Sequence, residues 1–167
     1  EDHAPAGEEW LVGSPPTLRP RVEVVQLWRV PDETYYREND PGGTVDAAKS
    51  VMAECGVREI LWLDAETYVI DGEVLDLGPD ADWLREAEEE AIAQGVILGL
   101  YTGRWWLEAF CPGYEEFAHW WLWLADHNGV PDLNVTLPAG WLTDKLVGHQ
   151  YATGAIDLNV FDLEALP

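Results

Sequence analysis

The chain has 167 residues, 47% of them hydrophobic, which is enough for one sizeable core and leads us to expect a single folded domain. Nine Lys and Arg against 32 Asp and Glu give a formal charge of −23. Nucleic acid and anionic membrane surfaces are therefore poor partners, because both recruit basic patches, and the same charge weighs mildly against a cell-wall substrate that carries anionic polymers.

No apolar run approaches the roughly 18 residues of a membrane span and no signal peptide is recognisable, so a soluble chain is expected. It opens Glu1-Asp2-His3 without a Met, as a processed product or a piece of something longer would. Residues 1–20 hold Pro5, Pro15, Pro16 and Pro20 with little periodicity and read as an arm or linker, within which Trp10-Leu11-Val12 is suited to a short strand. Residues 22–30 are rich in β-formers and predict a strand, followed by a loop over residues 31–43. Thr44 can cap a helix running through Val45, Ala48, Val51 and Met52 to Cys55, with Gly56 as its stop.

Ile60-Leu61-Trp62-Leu63 is a short, wholly apolar run of the kind buried in a parallel sheet. Asp64 and Glu66 follow it. Residues 71–81 read as an acidic, solvated loop whose spacing does not fit a calcium-binding loop. Asp80 or Asp82 begins a helix over residues 83–94, with Trp83, Leu84, Ala87, Ala91 and Ile92 as the buried stripe, Glu86, Glu88, Glu89 and Glu90 mostly on the wet side, and Gly95 at its end. Residues 96–102 form another apolar strand. A helical or looped passage over 105–118 leads to a strand over 120–126, whose alternation puts Trp121, Trp123 and Ala125 on one face. Residues 131–141 are too irregular for a full helix, and short strands over 146–151 and 156–161 close the chain around a turn at 152–155. Cys55 and Cys111 stand in no zinc or redox motif and are expected as free thiols.

Strands alternating with helices predict an α/β fold with a mainly parallel sheet, either a barrel or an open doubly wound sheet. Six strands do not complete an eight-stranded barrel, and no Gly-rich turn follows a strand in phosphate-binding spacing.

Asp64 and Glu66 carry the chemistry. Two apart on an extended chain, their side chains share a face with Cα atoms roughly 6.5 Å apart. They also stand at a strand's carboxyl end, where α/β folds place catalytic groups. Two carboxylates this close do not both ionise freely, so one is expected to keep its proton above the usual carboxyl range, as a general acid must. The plainer alternative is a strand ending in two solvated acids. Ten Trp residues present a parallel choice between core packing and platforms for flat ligands or sugar rings, with Trp62, Trp83 and Trp120 the better core candidates.

The tract Leu61-Trp62-Leu63-Asp64-Ala65-Glu66, the strand Gly99-Leu100-Tyr101-Thr102-Gly103, the segment Leu122-Trp123-Leu124-Ala125 and the ending His149-Gln150-Tyr151 with Ile156-Asp157-Leu158-Asn159-Val160-Phe161 occur in one order. In that order they resemble glycoside hydrolase family 25, the Chalaropsis-type lysozymes. The resemblance spans residues 58–162. It implies an incomplete or irregular TIM-like β/α barrel with helix-poor closing strands over residues 21–167, and an N-acetylmuramidase that cleaves the β-1,4 bond between N-acetylmuramic acid and N-acetylglucosamine in peptidoglycan.

The same resemblance makes Glu66 the proton donor, with Asp64 and Asp157 as active-site aspartates that orient the acetamido group or water and stabilise developing positive charge. Tyr101, Trp123 and Tyr151 match aromatic positions lining the groove, and Gln150 either bonds substrate or satisfies backbone. It implies no cofactor and no metal, and an extracellular, phage or virion setting. The arm over residues 1–20 would be a possible attachment to a larger protein or virion. One departure stands out: the family's opening strand, with its Asp-x-Ser motif, has no counterpart, and residues 22–30 supply only one of the strands expected before Asp64. A non-catalytic glycan-binding or structural module that retains the barrel is therefore the alternative to an enzyme.

Overall fold

A computed structural model describes residues 25–26, 40–56, 60–70, 73–76, 79–154, 156–162 and 164–166. The arm over residues 1–20 lies outside them, and of the strand expected over 22–30 only β1 (Val25–Gln26) is described. The chain continues through α1 (Pro41–Cys55), β2 (Ile60–Ala65), β3 (Thr67–Ile70), β4 (Glu73–Asp76), α2 (Ala81–Gln94) and β5 (Ile97–Thr102). It then forms α3 (Arg104–Phe110), β6 (Trp121–Ala125), β7 (Leu146–Ala152) and β8 (Leu158–Phe161).

Aspartates start the two longer helices by accepting backbone N–H groups that no helical carbonyl can reach. Asp40 Oδ1 accepts from Gly43 N at 2.6 Å and Asp80 Oδ1 from Trp83 N at 2.8 Å. With Pro41 preset for the first helical position, α1 begins a turn ahead of the expected cap at Thr44. Gly56 and Gly95 end the two helices as expected. The carboxyl end of α2 is tied to the middle of α1: Lys49 Nζ donates to the carbonyl of Gln94, and Gln94 Nε2 donates to Asp46.

The six-stranded sheet has the order β1-β2-β5-β6-β7-β8. Its first five strands run parallel and β8 returns antiparallel to β7, which is the expected α/β class with a mainly parallel sheet. Among the described residues β1 and β8 remain its two edges. Two expectations are corrected. The acidic stretch over residues 71–81 is not all loop, because β4 pairs antiparallel with β3 in a separate two-stranded sheet, Val69 opposite Val74; the acids Glu73 and Asp76 make a strand read as solvated coil when composition alone is used. Ile92 does not belong to the buried stripe of α2 and is 72% exposed, since it lies one position beyond Ala91 and so about 100° further round the helix.

Strand alternation gives the sheet two unlike faces. On one, Leu61, Leu63, Ala65, Leu98, Leu100, Leu122 and Leu124 pack against Val45, Ala48 and Met52 of α1, Trp83, Leu84, Ala87 and Ala91 of α2, and Trp106 and Leu107 of α3. Each buried Leu there contributes roughly 1.5–3 kcal/mol, so this face holds most of the stability. All three described α-helices lie on it. The other face carries Ile60, Trp62, Tyr101, Trp123 and Val147 with Trp121, Ala125 and Phe161, which includes the shared face expected of Trp121, Trp123 and Ala125. Trp62, Trp83 and Trp120 are core residues, at 1%, 8% and 4% exposure. Cys111 is buried, and the side chain of Cys55 is outside the described set. No described helix is long and apolar enough to cross a membrane.

Room on the second face comes from two strand glycines. A Cβ on Gly99 would stand 2.6 Å from Trp62 Cε3, and one on Gly148 would stand 2.5 Å from Phe161 Cε1 and 2.9 Å from Trp123 Cδ1. Gly99→Ala and Gly148→Ala should each destabilise the fold by about 1–3 kcal/mol through overpacking, read as a lower midpoint in denaturant unfolding.

On the surface, Arg85 grips Glu116 with two hydrogen bonds, Nε to Oε2 at 3.1 Å and Nη2 to Oε1 at 2.6 Å, and also pairs with Asp82. Hydrogen bonding from Arg85 holds the Glu116 carboxyl below its ordinary range. Stability from this pair is thus present above the ordinary carboxyl pKa and is lost as pH falls through the depressed one. Arg85→Ala should return Glu116 to the ordinary range in an NMR titration, while an unmoved titration would show that the pair does not control it.

Candidate functional site

Because β2, β5, β6 and β7 are parallel, their carboxyl ends share one edge of the sheet. β8 starts from that edge, since it runs antiparallel to β7. Asp64 near the end of β2, Glu66 in the single position between β2 and β3, and Asp157 just before β8 therefore all belong to the same edge.

The register then lines up side chains across it. Asp64 pairs with Tyr101, Tyr101 with Trp123, Trp123 with Gly148 and Gly148 with Phe161, which makes one file across four strand boundaries. In the next file Ala125 pairs with Gln150 and Gln150 with Asn159. Asp64 and Glu66 are both partly buried, and one oxygen of Asp64 is fully enclosed. The carbonyl between them is fixed: the buried Thr102 hydroxyl donates to Ala65 O at 2.6 Å, locking the end of β2 to the end of β5. This restrains the backbone from which the two carboxylates project.

Trp123 is the centre of the aromatic file. Its ring meets Tyr101 at 4.9 Å, Phe161 at 4.9 Å and Trp62 at 6.1 Å, all edge to face, the arrangement that ring quadrupoles favour. Its indole Nε1 donates to Asn159 Oδ1 at 2.9 Å, and it is 9% exposed. Trp123 thus acts chiefly as a wall that positions Tyr101 and Asn159. Tyr101, 6% exposed, sends its hydroxyl to Gln150 Oε1 at 2.7 Å, so these two expected groove residues are joined directly.

Tyr151 is placed differently. Its ring lies 6.2 Å from that of His149, whose ring nitrogens stand 2.5 Å from the carbonyl of Asp132 and 2.7 Å from that of Asp126. Asp157 is exposed and accepts from the Thr153 hydroxyl at 2.8 Å, closing the turn between β7 and β8. The site therefore joins Asp64, Tyr101, Trp123 and Gln150 through register and contact, with Glu66 adjoining, while Asp157 shares the edge and Tyr151 faces His149.

Two residues were not anticipated in any role. Asn159 was noted only as part of the Asp-x-Asn ending, and it is the acceptor that holds Trp123. His127 stands just past β6, with Nε2 2.9 Å from Gln150 Oε1. Its position beyond the carboxyl end of a parallel strand was the available signal. Among the described residues no group of three His, Cys, Asp or Glu side chains could hold a metal ion.

Asn159→Leu should leave the buried Trp123 indole without its acceptor and cost about 1–3 kcal/mol in denaturant unfolding. Unchanged stability would mean that the bond to Asn159 is not what holds the ring.

Comparisons with family models, with curated proteins and with solved structures returned no match.

Proposed function

We propose that the chain is a peptidoglycan hydrolase of the N-acetylmuramidase type, cleaving the β-1,4 bond between N-acetylmuramic acid and N-acetylglucosamine on an irregular, incomplete β/α barrel. The observation that carries this reading is the file at the carboxyl edge: Asp64 in register with Tyr101 on the face that no described helix covers, Glu66 two residues after Asp64, and Tyr101 bonded to Gln150. The order of the motifs quoted above, from Asp64-Ala65-Glu66 to Asp157-Leu158-Asn159, supports the family resemblance. The barrel reading draws support from the placement of the three described helices on one face, since a doubly wound sheet would carry helices on both.

Hydrolysis of a glycosidic bond needs a carboxylic acid at the departing oxygen and carboxylates near the developing oxocarbenium charge. In this reading Glu66 is the acid and Asp64 the closest anionic partner, with Asp157 completing the set from the β7–β8 turn. Tyr101 and Gln150 border the sugar, and Trp123 supports them from behind. No cofactor enters. The substrate places the protein outside the bacterial cytoplasm or on a phage particle. A charge of −23 opposes anionic wall polymers, so recognition rests on the neutral parts of the glycan. The exposure of Asp157 and its bond to Thr153 favour, as a second reading, a glycan-binding module that no longer cleaves.

Glu66→Gln should lower the release of reducing ends from purified peptidoglycan by a factor of about 10² to 10⁴, with the circular dichroism of the fold unchanged. Asp64→Asn should also be severe. A Glu66→Gln protein that cleaves at the unsubstituted rate would remove Glu66 from the chemistry.

A further inference from the structure

The roles above leave His127 unexplained. Gln150 Oε1 accepts twice, from the Tyr101 hydroxyl at 2.7 Å and from His127 Nε2 at 2.9 Å, which uses both lone pairs of a carboxamide oxygen. The N–H₂ arm of the same planar amide donates to no protein acceptor among the described residues, although Gln150 is only 5% exposed. That arm is not among the fully enclosed unpaired side-chain atoms of the described residues, so it stays accessible as a donor.

Which arm of the amide faces the network depends on His127. With the proton on His127 Nε2, only the amide oxygen can face it. With Nε2 bare, the amide could turn over, send its N–H₂ to His127 and Tyr101, and leave its oxygen outside the network. The loop bearing His127 is well placed to impose this choice, because it is pinned to β7 on both sides. Asp126 N donates to Gln150 O at 3.1 Å and Gly129 N to Tyr151 O at 2.8 Å, and His149 bonds the carbonyls of Asp126 and Asp132.

We propose that His127 is a positioning residue whose Nε2–H, together with the Tyr101 hydroxyl, holds the Gln150 carboxamide by its oxygen and so keeps its N–H₂ outside that network as a donor to a neutral carbonyl oxygen of the ligand. Resting on the glycan reading above, that oxygen is the acetamido carbonyl of an N-acetylated sugar. A neutral carbonyl is the acceptor that the glycan reading offers to this donor. His127 selects for the acetamido group without touching it.

The test is calorimetric binding with the full chain carrying Glu66→Gln to prevent turnover. The probes are a β-1,4-linked tetramer of N-acetylglucosamine and cellotetraose, which has the same linkage without acetamido groups. The background protein should bind the N-acetylated tetramer at least about tenfold more tightly, the effect of one good hydrogen bond. Adding His127→Leu should remove that margin while leaving the cellotetraose affinity unchanged. His127→Gln, which offers a side-chain N–H at similar reach, should restore most of it. Gln150→Met should abolish the same margin; since His127 is exposed, its variants test the idea even if the Gln150 variant unfolds.

Equal affinity for the two sugars, binding of neither, or a margin that survives His127→Leu would each overturn the proposal. The hydrolytic reading is judged separately. A chain that releases no reducing ends from peptidoglycan yet keeps the His127-dependent margin loses the enzyme assignment and retains this one. A chain that cleaves while showing no such margin does the reverse.

Discussion

The arrangement at the carboxyl edge depends on the packing around Trp123. Three rings from three different strands meet this indole edge to face, and Asn159 from β8 takes its N–H. Four strands are thereby tied through one side chain on the face without described helices. That is possible only because Gly99 and Gly148 offer no Cβ where Trp62 and Phe161 lie. With those rings seated, Tyr101 stands between Trp123 and Asp64 in register, and its hydroxyl reaches across β6 to Gln150. The polar file at the edge is thus a consequence of an aromatic file beneath it.

A local irregularity decides which residues join that file. Leu122 pairs with Leu146 but Trp123 with Gly148, so β7 holds one extra residue at Val147. Strict alternation from Leu146, which packs on the helical side, would have sent His149 and Tyr151 to the opposite face. The bulge reverses this. Gly148 meets Phe161 and Trp123, Gln150 meets Tyr101, and His149 turns to the loop that follows β6, with Tyr151 beside it. That exchange separates Gln150 from Tyr151, two neighbours that the sequence presents as equivalent.

Much of the fold was legible because its signals are local. Asp80 and Gly95 mark the ends of α2, and the apolar tracts Ile60–Leu63 and Val96–Thr102 announce buried parallel strands. The pairing of β3 with β4 was not legible, since Glu73 and Asp76 disguise a strand as solvated loop. Ile92 was misread because a stripe drawn by composition is wider than the surface that the sheet covers. Within the site, the place of Asp64 and Glu66 at the carboxyl end of β2 could be read from residue spacing alone. The pairing of Asp64 with Tyr101 could not, because register between distant strands is a tertiary property. Nor could the anchoring of Trp123 by Asn159 or the contact of His127 with Gln150, both of which need β7 and β8 folded back on β6.

The proposed chemistry makes the identity of the new chain end its most direct test. Purified peptidoglycan exposed to the unsubstituted chain, reduced with borohydride and analysed by mass spectrometry, should yield fragments ending in reduced N-acetylmuramic acid, as acid catalysis by Glu66 at that linkage requires. Sacculi that stay intact, or fragments ending in reduced N-acetylglucosamine, would contradict the account.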